Sequence, residues 1–433
     1  MKPKKSLVIV GGGFGGLSLV NGISDQLPDE WELVLISEES YTTFNPMLAE
    51  AVGASIMPEH VIAPLREVIR PNESRRFIMG MVSDIDVVGQ SVSCEALIGK
   101  MSVRYDGLVL AYGNRARTDF IPGLADHALP LKTIGDALEI RNALLRRLAR
   151  IELDTDREKR RLLGSFIIIG GGFSGVEVAG EAVDFVNGIL HYYPNVEMDE
   201  ISFTLVQDLP TLLPELPEKL GQAARKSLEK RGVTVLLGAR AKQIDAQGVI
   251  LHDDRRIDGR TVICTIGTKP NDINSRLSTA LDIPLERGRL PVGRDMRLRT
   301  DKDQSELGIW GLGDCAAVVN TTNGTVSPPT AQFAVRQGAQ LAKNLKATLS
   351  GTKAAPFRYT SRGSMAAMGH LNGIAEVFGL AIAGLPAWLL WRAYYLLLMP
   401  TFGRKVRIFV EWTWGMFFPP DITHFRYRKS QEL

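Results

Sequence analysis

Cysteine is scarce in this chain: three residues in 433, Cys94, Cys264 and Cys315, set far apart with no C-x-x-C spacing. That excludes a disulfide framework and a paired redox dithiol, and it fits a reducing compartment. A dominant charge of one sign is missing too, since 51 basic residues face 48 acidic ones for a formal net charge of +3. A nucleic-acid partner, which calls for a clustered basic face, is therefore not expected. Long unbroken apolar runs are also lacking. The opening Met-Lys-Pro-Lys-Lys leads only into Leu7-Val8-Ile9-Val10 before a glycine cluster, too short for a signal-peptide core, so folding in the cytoplasm is expected. The most apolar region, residues 374 to 400, is broken by Glu376, Pro386 and Arg392. That makes a poor membrane span, which needs about 20 predominantly apolar residues.

What the chain does have is length and a repeat. With 433 residues, 45% of them hydrophobic, it is long enough for more than one core, and two or three domains are expected. Two segments share one design. Leu7 to Val10 reads as a strand, followed by Gly11-Gly12-Gly13-Phe14-Gly15-Gly16, a helix-like stretch, and the apolar run Leu33-Val34-Leu35-Ile36. Phe166 to Ile169 leads likewise into Gly170-Gly171-Gly172-Phe173-Ser174-Gly175, a helical stretch to about Val186, and Phe203-Thr204-Leu205-Val206. Leu108 to Ala111 before Tyr112-Gly113, and Val262 to Thr265 before Ile266-Gly267, form a second echo. The charged stretch from Arg146 to Arg161 reads as a solvated helix and connection. A further short strand ends at Gly311-Leu312-Gly313-Asp314, and Pro328 to Leu345 reads as a helix after a proline turn.

Each glycine cluster contains G-x-G-x-x-G between a predicted strand and a predicted helix, as Gly11, Gly13, Gly16 and as Gly170, Gly172, Gly175. The first glycine permits a tight turn, the second lets backbone approach a pyrophosphate, and the third lets helix and strand pack closely. The helix N-terminus then offers unpaired N–H groups to the phosphates. A lone match can be an empty glycine-rich turn, but two in matching contexts point to two dinucleotide sites. An acidic residue about 20 positions further on would grip the ribose. After the first motif, Ser37 or Glu38 must do this. After the second the strand ends Val206-Gln207-Asp208, and a neutral Gln207 lacks the charge that would repel a 2′-phosphate, so NADPH stays open beside NADH.

The whole arrangement resembles the two-dinucleotide-binding-domain flavoproteins, in which the N-terminal unit holds FAD and an inserted unit holds NAD(P)H. The resemblance implies that Phe14 and Gly15 in the first turn, with Ala111, Gly113 and Gly267, also border the cofactors. Gly311 to Asp314 is similar to that superfamily's late FAD motif, which implies that Gly313 and Asp314 meet the ribityl region; a plain turn aspartate is the alternative. Phe44-Asn45-Pro46-Met47-Leu48-Ala49-Glu50, preceded by Ser37 and Tyr41, is similar to the S-x-x-x-Y-x-x-F-x-P-x-L stretch of type II NADH:quinone oxidoreductases. Gly175-Val176-Glu177-Val178-Ala179-Gly180-Glu181 resembles the same subfamily, where the first glutamate lies near nicotinamide and flavin; dipole complementation in a first helical turn is the alternative for Glu177. Ala331-Gln332-Phe333-Ala334-Val335-Arg336-Gln337-Gly338 looks like its A-Q-x-A-x-Q-Q/E quinone-site helix, with Arg336 in place of a glutamine. Packing against the flavin is the alternative role. Arg362-Gly363-Ser364-Met365 resembles the segment that approaches the flavin.

The C-terminal strings Ala387-Trp388-Leu389-Leu390-Trp391-Arg392, Trp412 and Phe417-Phe418 are similar to that subfamily's membrane-anchoring segment. With Arg392, Arg404, Lys405 and Arg407 nearby, an interfacial helix among anionic headgroups is expected, with a dimer interface or core helix pair as the alternative. The resulting expectation is an α/β fold with two Rossmann-like dinucleotide-binding domains and a C-terminal membrane-associating region. The expected ranges are 1–160 and 276–345 for FAD, 161–275 for NAD(P)H, and 346–433 for membrane surface and dimerisation. The resemblance implies oxidation of NADH or NADPH through FAD with two-electron reduction of a membrane quinone, without proton pumping, by a homodimer peripheral on the cytoplasmic face of the membrane. It implies roles for Glu177 and Gln332 in catalysis, and no metal, because the flavin carries the hard chemistry. The rivals are a sulfide:quinone oxidoreductase, a soluble ferredoxin or disulfide reductase, and a slow-turnover redox sensor binding FAD and NAD(P)H.

Overall fold

The computed structural model describes residues 4–299, 308–361 and 363–425. Among these the chain forms two compact units. The first gathers residues up to Thr42 with Ala63–Arg115 and Thr268–Thr360; the second gathers Thr43–Ile62, Ala116–Gly267 and residues from Ser361 on. These units divide the chain at other points than the expected ranges: Thr43–Ile62 and the C-terminal region join the unit that carries the second glycine motif.

In the first unit the strand Lys5–Val10 lies inside a seven-stranded sheet, paired in parallel with Trp31–Ser37 on one side and Gly107–Leu110 on the other. Val8 sits opposite Val34 and Leu108, and all three are fully buried. A strand covered on both faces needs such a continuous apolar run rather than an alternating one. Ile309–Gly311 closes one edge in parallel, while Arg75–Asp86, Ser91–Ala96 and Gly99–Arg104 extend the other, the last two antiparallel. The helices Phe14–Ile23 and Ala331–Leu349 cross closely: a Cβ on Gly338 would lie 2.3 Å from the Gly15 carbonyl oxygen, so the crossing depends on that glycine.

The second unit repeats the theme with a five-stranded parallel sheet, in the order Ala128–Pro130, Thr261–Cys264, Ser165–Ile169, Ser202–Val206, Val233–Leu236. The helix Ile134–Leu153 is only partly the solvated element expected, because Leu148 and Ile151 are fully buried. Residues 374 to 400 are not one helix. Gly373–Val377 and Leu380–Ala383 are strands that join Gly363–Ala367 in a small antiparallel sheet, turned at Phe378-Gly379. The helix Leu385–Leu398 then begins with Pro386 in its first turn, where a missing N–H costs nothing, so this proline starts a helix instead of breaking one. Phe402–Trp414 follows as a second helix. Among the described residues no helix is long and apolar enough to cross a membrane.

Candidate functional site

The two glycine turns have the same geometry. Gly11 and Gly170 adopt φ of +113° and +111°, a region in which a side chain is strained. A Cβ on Gly11 would lie 2.3 Å from the Ala111 carbonyl oxygen, and one on Gly170 2.4 Å from Ile266 Cγ2. Gly16 and Gly175 are equally closed, with added Cβ atoms 2.0 Å and 1.7 Å from the carbonyl oxygens of Gly11 and Gly170. Gly13 and Gly172 are the opposite: each is the N-cap of its helix, and an added Cβ would meet nothing within 4 Å.

Those two helices, Phe14–Ile23 and Phe173–Ile189, have no side-chain cap and no acidic residue in the first turn. Side-chain caps do occur in the chain, as the box of Thr133 and Asp136 on Ile134–Leu153 and Asp156 on Arg157–Leu163, while Ala331–Leu349 is uncapped as well. With no carboxylate in the first turn to offset it, the positive end of each helix dipole lies at its glycine turn. A dinucleotide pyrophosphate suits that arrangement at both turns.

The ribose positions differ. Ser37 Oγ lies 2.8 Å from the point a Gly12 Cβ would occupy, so it borders the first turn. Glu38 is turned to the surface, where it pairs with Arg115 at 2.9 Å. Gln207 is buried: its Oε1 accepts from the Gly171 N–H at 3.0 Å and its Nε2 donates to the Thr211 carbonyl at 3.3 Å. Its amide thus holds the glycine turn.

At the end of Ile309–Gly311, Gly313 has φ +71° and its N–H donates to Gln337 Oε1 at 2.7 Å, which sets the half-buried Asp314 beside it. On the same helix as Gln337, the Gln332 Nε2 donates to the Tyr359 hydroxyl at 2.8 Å. Arg336, the departure from the resembled motif, lies over the Tyr359 ring at 5.5 Å, and Phe333 meets that ring edge-on at 5.2 Å. Gly113 has φ +66° after its strand, and Gly267 has φ +91°, where a Cβ would lie 2.3 Å from Phe120 Cε1. Pro46 opens a short 3-10 turn, Asn45–Met47, in the second unit. Arg362 lies outside the described residues.

Glu177 sits inside the second unit and has company. It is the fifth residue of Phe173–Ile189, beyond the first turn, which removes the dipole reading. Its Oε1 accepts from the Ala367 N–H at 3.2 Å. One turn on, Glu181 Oε2 bonds the Ser55 hydroxyl at 2.6 Å. Glu50, from the short helix Leu48–Val52, receives the Trp412 indole N–H at 3.0 Å on Oε2 and the Arg392 guanidinium at 3.4 Å on Oε1. The three carboxyls are 1%, 8% and 2% exposed at Glu50, Glu177 and Glu181. Burial disfavours their charged forms and raises the pKa of Glu50 to about 7 and of Glu181 to about 8, against the pull of Arg392 and Trp412 on the former and of Ser55 on the latter. Burial likewise holds Glu177 well above the usual carboxylate range, with the Glu50 and Glu181 charges adding to it.

The C-terminal expectation needs correcting at Arg392. Its side chain is 12% exposed, bonded to Glu50 and sandwiched between the rings of Trp388 and Trp412, at 3.6 Å and 4.8 Å. It serves a buried carboxylate rather than a lipid headgroup, because an apolar site with an acid in it must supply a counterion. Trp388 and Trp391 are buried as well. The exposed apolar face consists instead of Phe402, Val406, Phe409, Val410 and Trp414, spaced as one stripe of the last helix. Sequence reasoning left Glu50 and Glu181 without a role and placed Arg392 at a headgroup instead of beside Glu50. The i, i+4 spacing of Glu177 and Glu181 was the available signal.

The pyridine nucleotide-disulphide oxidoreductase family matches residues 5–338, and the chain belongs to that family. Among curated relatives it is similar to the type II NADH:quinone oxidoreductase Ndh of Mycobacterium tuberculosis, 29% identical over 423 residues, covering 94% of this chain and 87% of the relative. It is similar also to the mitochondrial internal alternative NAD(P)H-ubiquinone oxidoreductase A1 of Solanum tuberosum, 28% identical over 451 residues, covering 97% and 88%. The fold matches that of NDH2 from Plasmodium falciparum, solved in complex with NADH, with TM-score 0.88 at 18% identity, over 97% of this chain and 100% of that one.

Proposed function

We propose that this chain is an FAD-dependent enzyme that oxidises NADH, or NADPH, and reduces a membrane quinone by two electrons without pumping protons. FAD, when bound, supplies the electron-carrying chemistry between nicotinamide and quinone. The turn at Gly11, Gly13, Phe14, Gly15 and Gly16 holds its pyrophosphate, Ser37 its ribose, and Gly313-Asp314, steadied by Gln337, its ribityl chain. The turn at Gly170, Gly172 and Gly175 holds the nicotinamide dinucleotide, with Gln207 at the ribose end. Glu177 orients the nicotinamide or passes a proton toward the quinone, and Gln332 lies at the quinone end. The observation that carries this reading is the doubled turn: two uncapped helix N-termini of one geometry, one in each compact unit.

The sulfide:quinone alternative needs reactive thiols. Cys264 and Cys315 belong to different units, both are buried, and burial raises both pKa values, that of Cys315 to about 12. Such thiols are poor nucleophiles. The apolar stripe from Phe402 to Trp414 supports attachment to a membrane surface, and the proposed reading puts it on the cytoplasmic face. The reading includes a homodimer, checked by light scattering in detergent. The test of function is purification in mild detergent, an FAD spectrum, and NADH and NADPH oxidation with soluble ubiquinone and menaquinone analogues. Rapid quinone-dependent oxidation supports the reading; a flavin that NADH reduces and no quinone reoxidises overturns it.

A further inference from the structure

Neighbouring parallel strands deliver the loops that follow them to one edge of a sheet, and in open α/β sheets ligands bind outside those carboxyl ends. In the first unit Gly107–Leu110 and Ile309–Gly311 are such neighbours, with Leu110 opposite Gly311. The first runs out into Ala111-Tyr112-Gly113 and the second into Leu312-Gly313-Asp314-Cys315. The first loop adjoins the first glycine turn, since a Cβ on Gly11 would lie 2.7 Å from Tyr112 Cα. The Leu312 N–H still reaches the Leu110 carbonyl at 3.0 Å, and past that bond the sheet no longer sets the spacing of the two loops.

A side chain from outside both loops takes over. Asn274, in the first turn of the helix Asp272–Leu281, is fully buried. Its Nδ2 donates to the Cys315 carbonyl at 3.0 Å and to the Gly288 carbonyl at 2.8 Å, and its Oδ1 accepts from the Tyr112 hydroxyl at 2.6 Å. Only N–H groups can meet two carbonyls, so the amide oxygen must face Tyr112 and the phenol must donate. Burial pushes the Tyr112 phenol well above its usual range, which keeps the proton on it. The Cys315 thiol reaches back to the Leu110 carbonyl at 3.3 Å. The turn Gly313–Cys315 is thus held at both ends by buried amides, Gln337 on the Gly313 N–H and Asn274 on the Cys315 carbonyl, with Asp314 between them.

We infer that Asn274, oriented by the Tyr112 hydroxyl, is a positioning residue of the FAD site, fixing the loop that carries Asp314 against the loop at the first glycine turn. The inference rests on the reading of the first unit as the FAD unit. On that reading one cofactor is held by its pyrophosphate at the glycine turn and by its ribityl chain at Asp314, so the spacing of the two loops must match it. A spacing set in advance leaves less to be ordered on binding. The grip on the adenosine diphosphate half, which needs the glycine turn and Ser37, does not pass through Asn274. Loss of the Tyr112 hydroxyl therefore loosens the ribityl end alone.

Equilibrium dialysis of the FAD-loaded full-length chain, with released FAD read by its fluorescence, gives the FAD Kd, and ADP added as a competitor gives the Kd of the half that lacks the ribityl chain. Tyr112→Phe is expected to raise the FAD Kd about tenfold and Asn274→Ala at least as much, with the ADP Kd unchanged in both. Tyr112→Phe/Asn274→Ala should bind FAD no more weakly than Asn274→Ala, because the hydroxyl acts through the amide. Ser278→Ala removes a bond to the Ile283 carbonyl at 2.6 Å from the same helix and should leave both Kd values at wild type. Where Asn274→Ala does not fold, Tyr112→Phe decides. An unchanged FAD Kd in folded Tyr112→Phe, FAD and ADP weakened alike, or the same weakening in Ser278→Ala overturns the positioning role. A wild type that takes up no FAD overturns the FAD reading instead.

Discussion

Arg392 and Glu50 form an ion pair inside the second unit: Nη2 lies 3.4 Å from Oε1, with side chains 12% and 1% exposed. The pair joins a short helix early in the chain to a helix near its end, across 342 positions. Breaking it leaves a buried charge alone, which typically costs about 3–5 kcal/mol. Arg392→Met should therefore destabilise strongly at neutral pH and less in acid, where Glu50 can take a proton. Glu50→Gln/Arg392→Met should recover most of the loss, since the orphaned charge is gone. Denaturant unfolding of the single and double variants at two pH values checks both statements.

The raised pKa values make stability depend on pH. A buried glutamate that binds protons more tightly when folded adds stability that is complete below the ordinary carboxylate range. That stability is lost as pH climbs through the folded value, about 8 for Glu181 and about 7 for Glu50. The slope is about 1.4 kcal/mol per pH unit for each proton involved. Unfolding of the FAD-loaded protein followed from pH ~5 to pH ~9 should show falling stability, and Glu181→Gln should flatten it.

The two turns can be disabled one at a time. Gly175→Ala would put a methyl 1.7 Å from the Gly170 carbonyl oxygen, and Gly16→Ala would put one 2.0 Å from that of Gly11. The first should keep the yellow FAD spectrum and lose NADH binding, and the second should lose FAD. A flavin spectrum with the reverse pattern would exchange the two assignments.

Gln207 holds the Gly171 N–H through its Oε1, a bond that a carboxylate oxygen would keep, while its Nε2 bond to Thr211 would be lost. Gln207→Glu therefore preserves the turn and adds a negative charge at the ribose end. The NADPH-to-NADH ratio of kcat/KM should fall about tenfold, equivalent to about 1.4 kcal/mol. An unchanged ratio would move the choice of nicotinamide to another residue.

Much of this was legible in the sequence because it is local. A buried strand, three spaced glycines and a helix are neighbours in the chain, so Leu7 to Gly16 and Phe166 to Gly175 reveal their turns directly. The carboxyl cluster is not local. Glu50, Glu181 and Arg392 are brought together only by tertiary packing, and Arg392, in an apolar aromatic string, reads from sequence as a headgroup contact until Glu50 is found beside it. Pro386 and the hairpin at Phe378-Gly379 were hidden for the same reason: apolar composition alone does not distinguish a strand pair from a helix.

The most direct measurement of the central claim is NADH oxidation by the FAD-loaded protein in mild detergent with a soluble quinone, scored by quinol formed per NADH consumed. One quinol per NADH, abolished in Gly175→Ala and slowed in Glu177→Gln with FAD retained, is the predicted result. NADH consumption with no quinol from ubiquinone or menaquinone analogues would contradict it.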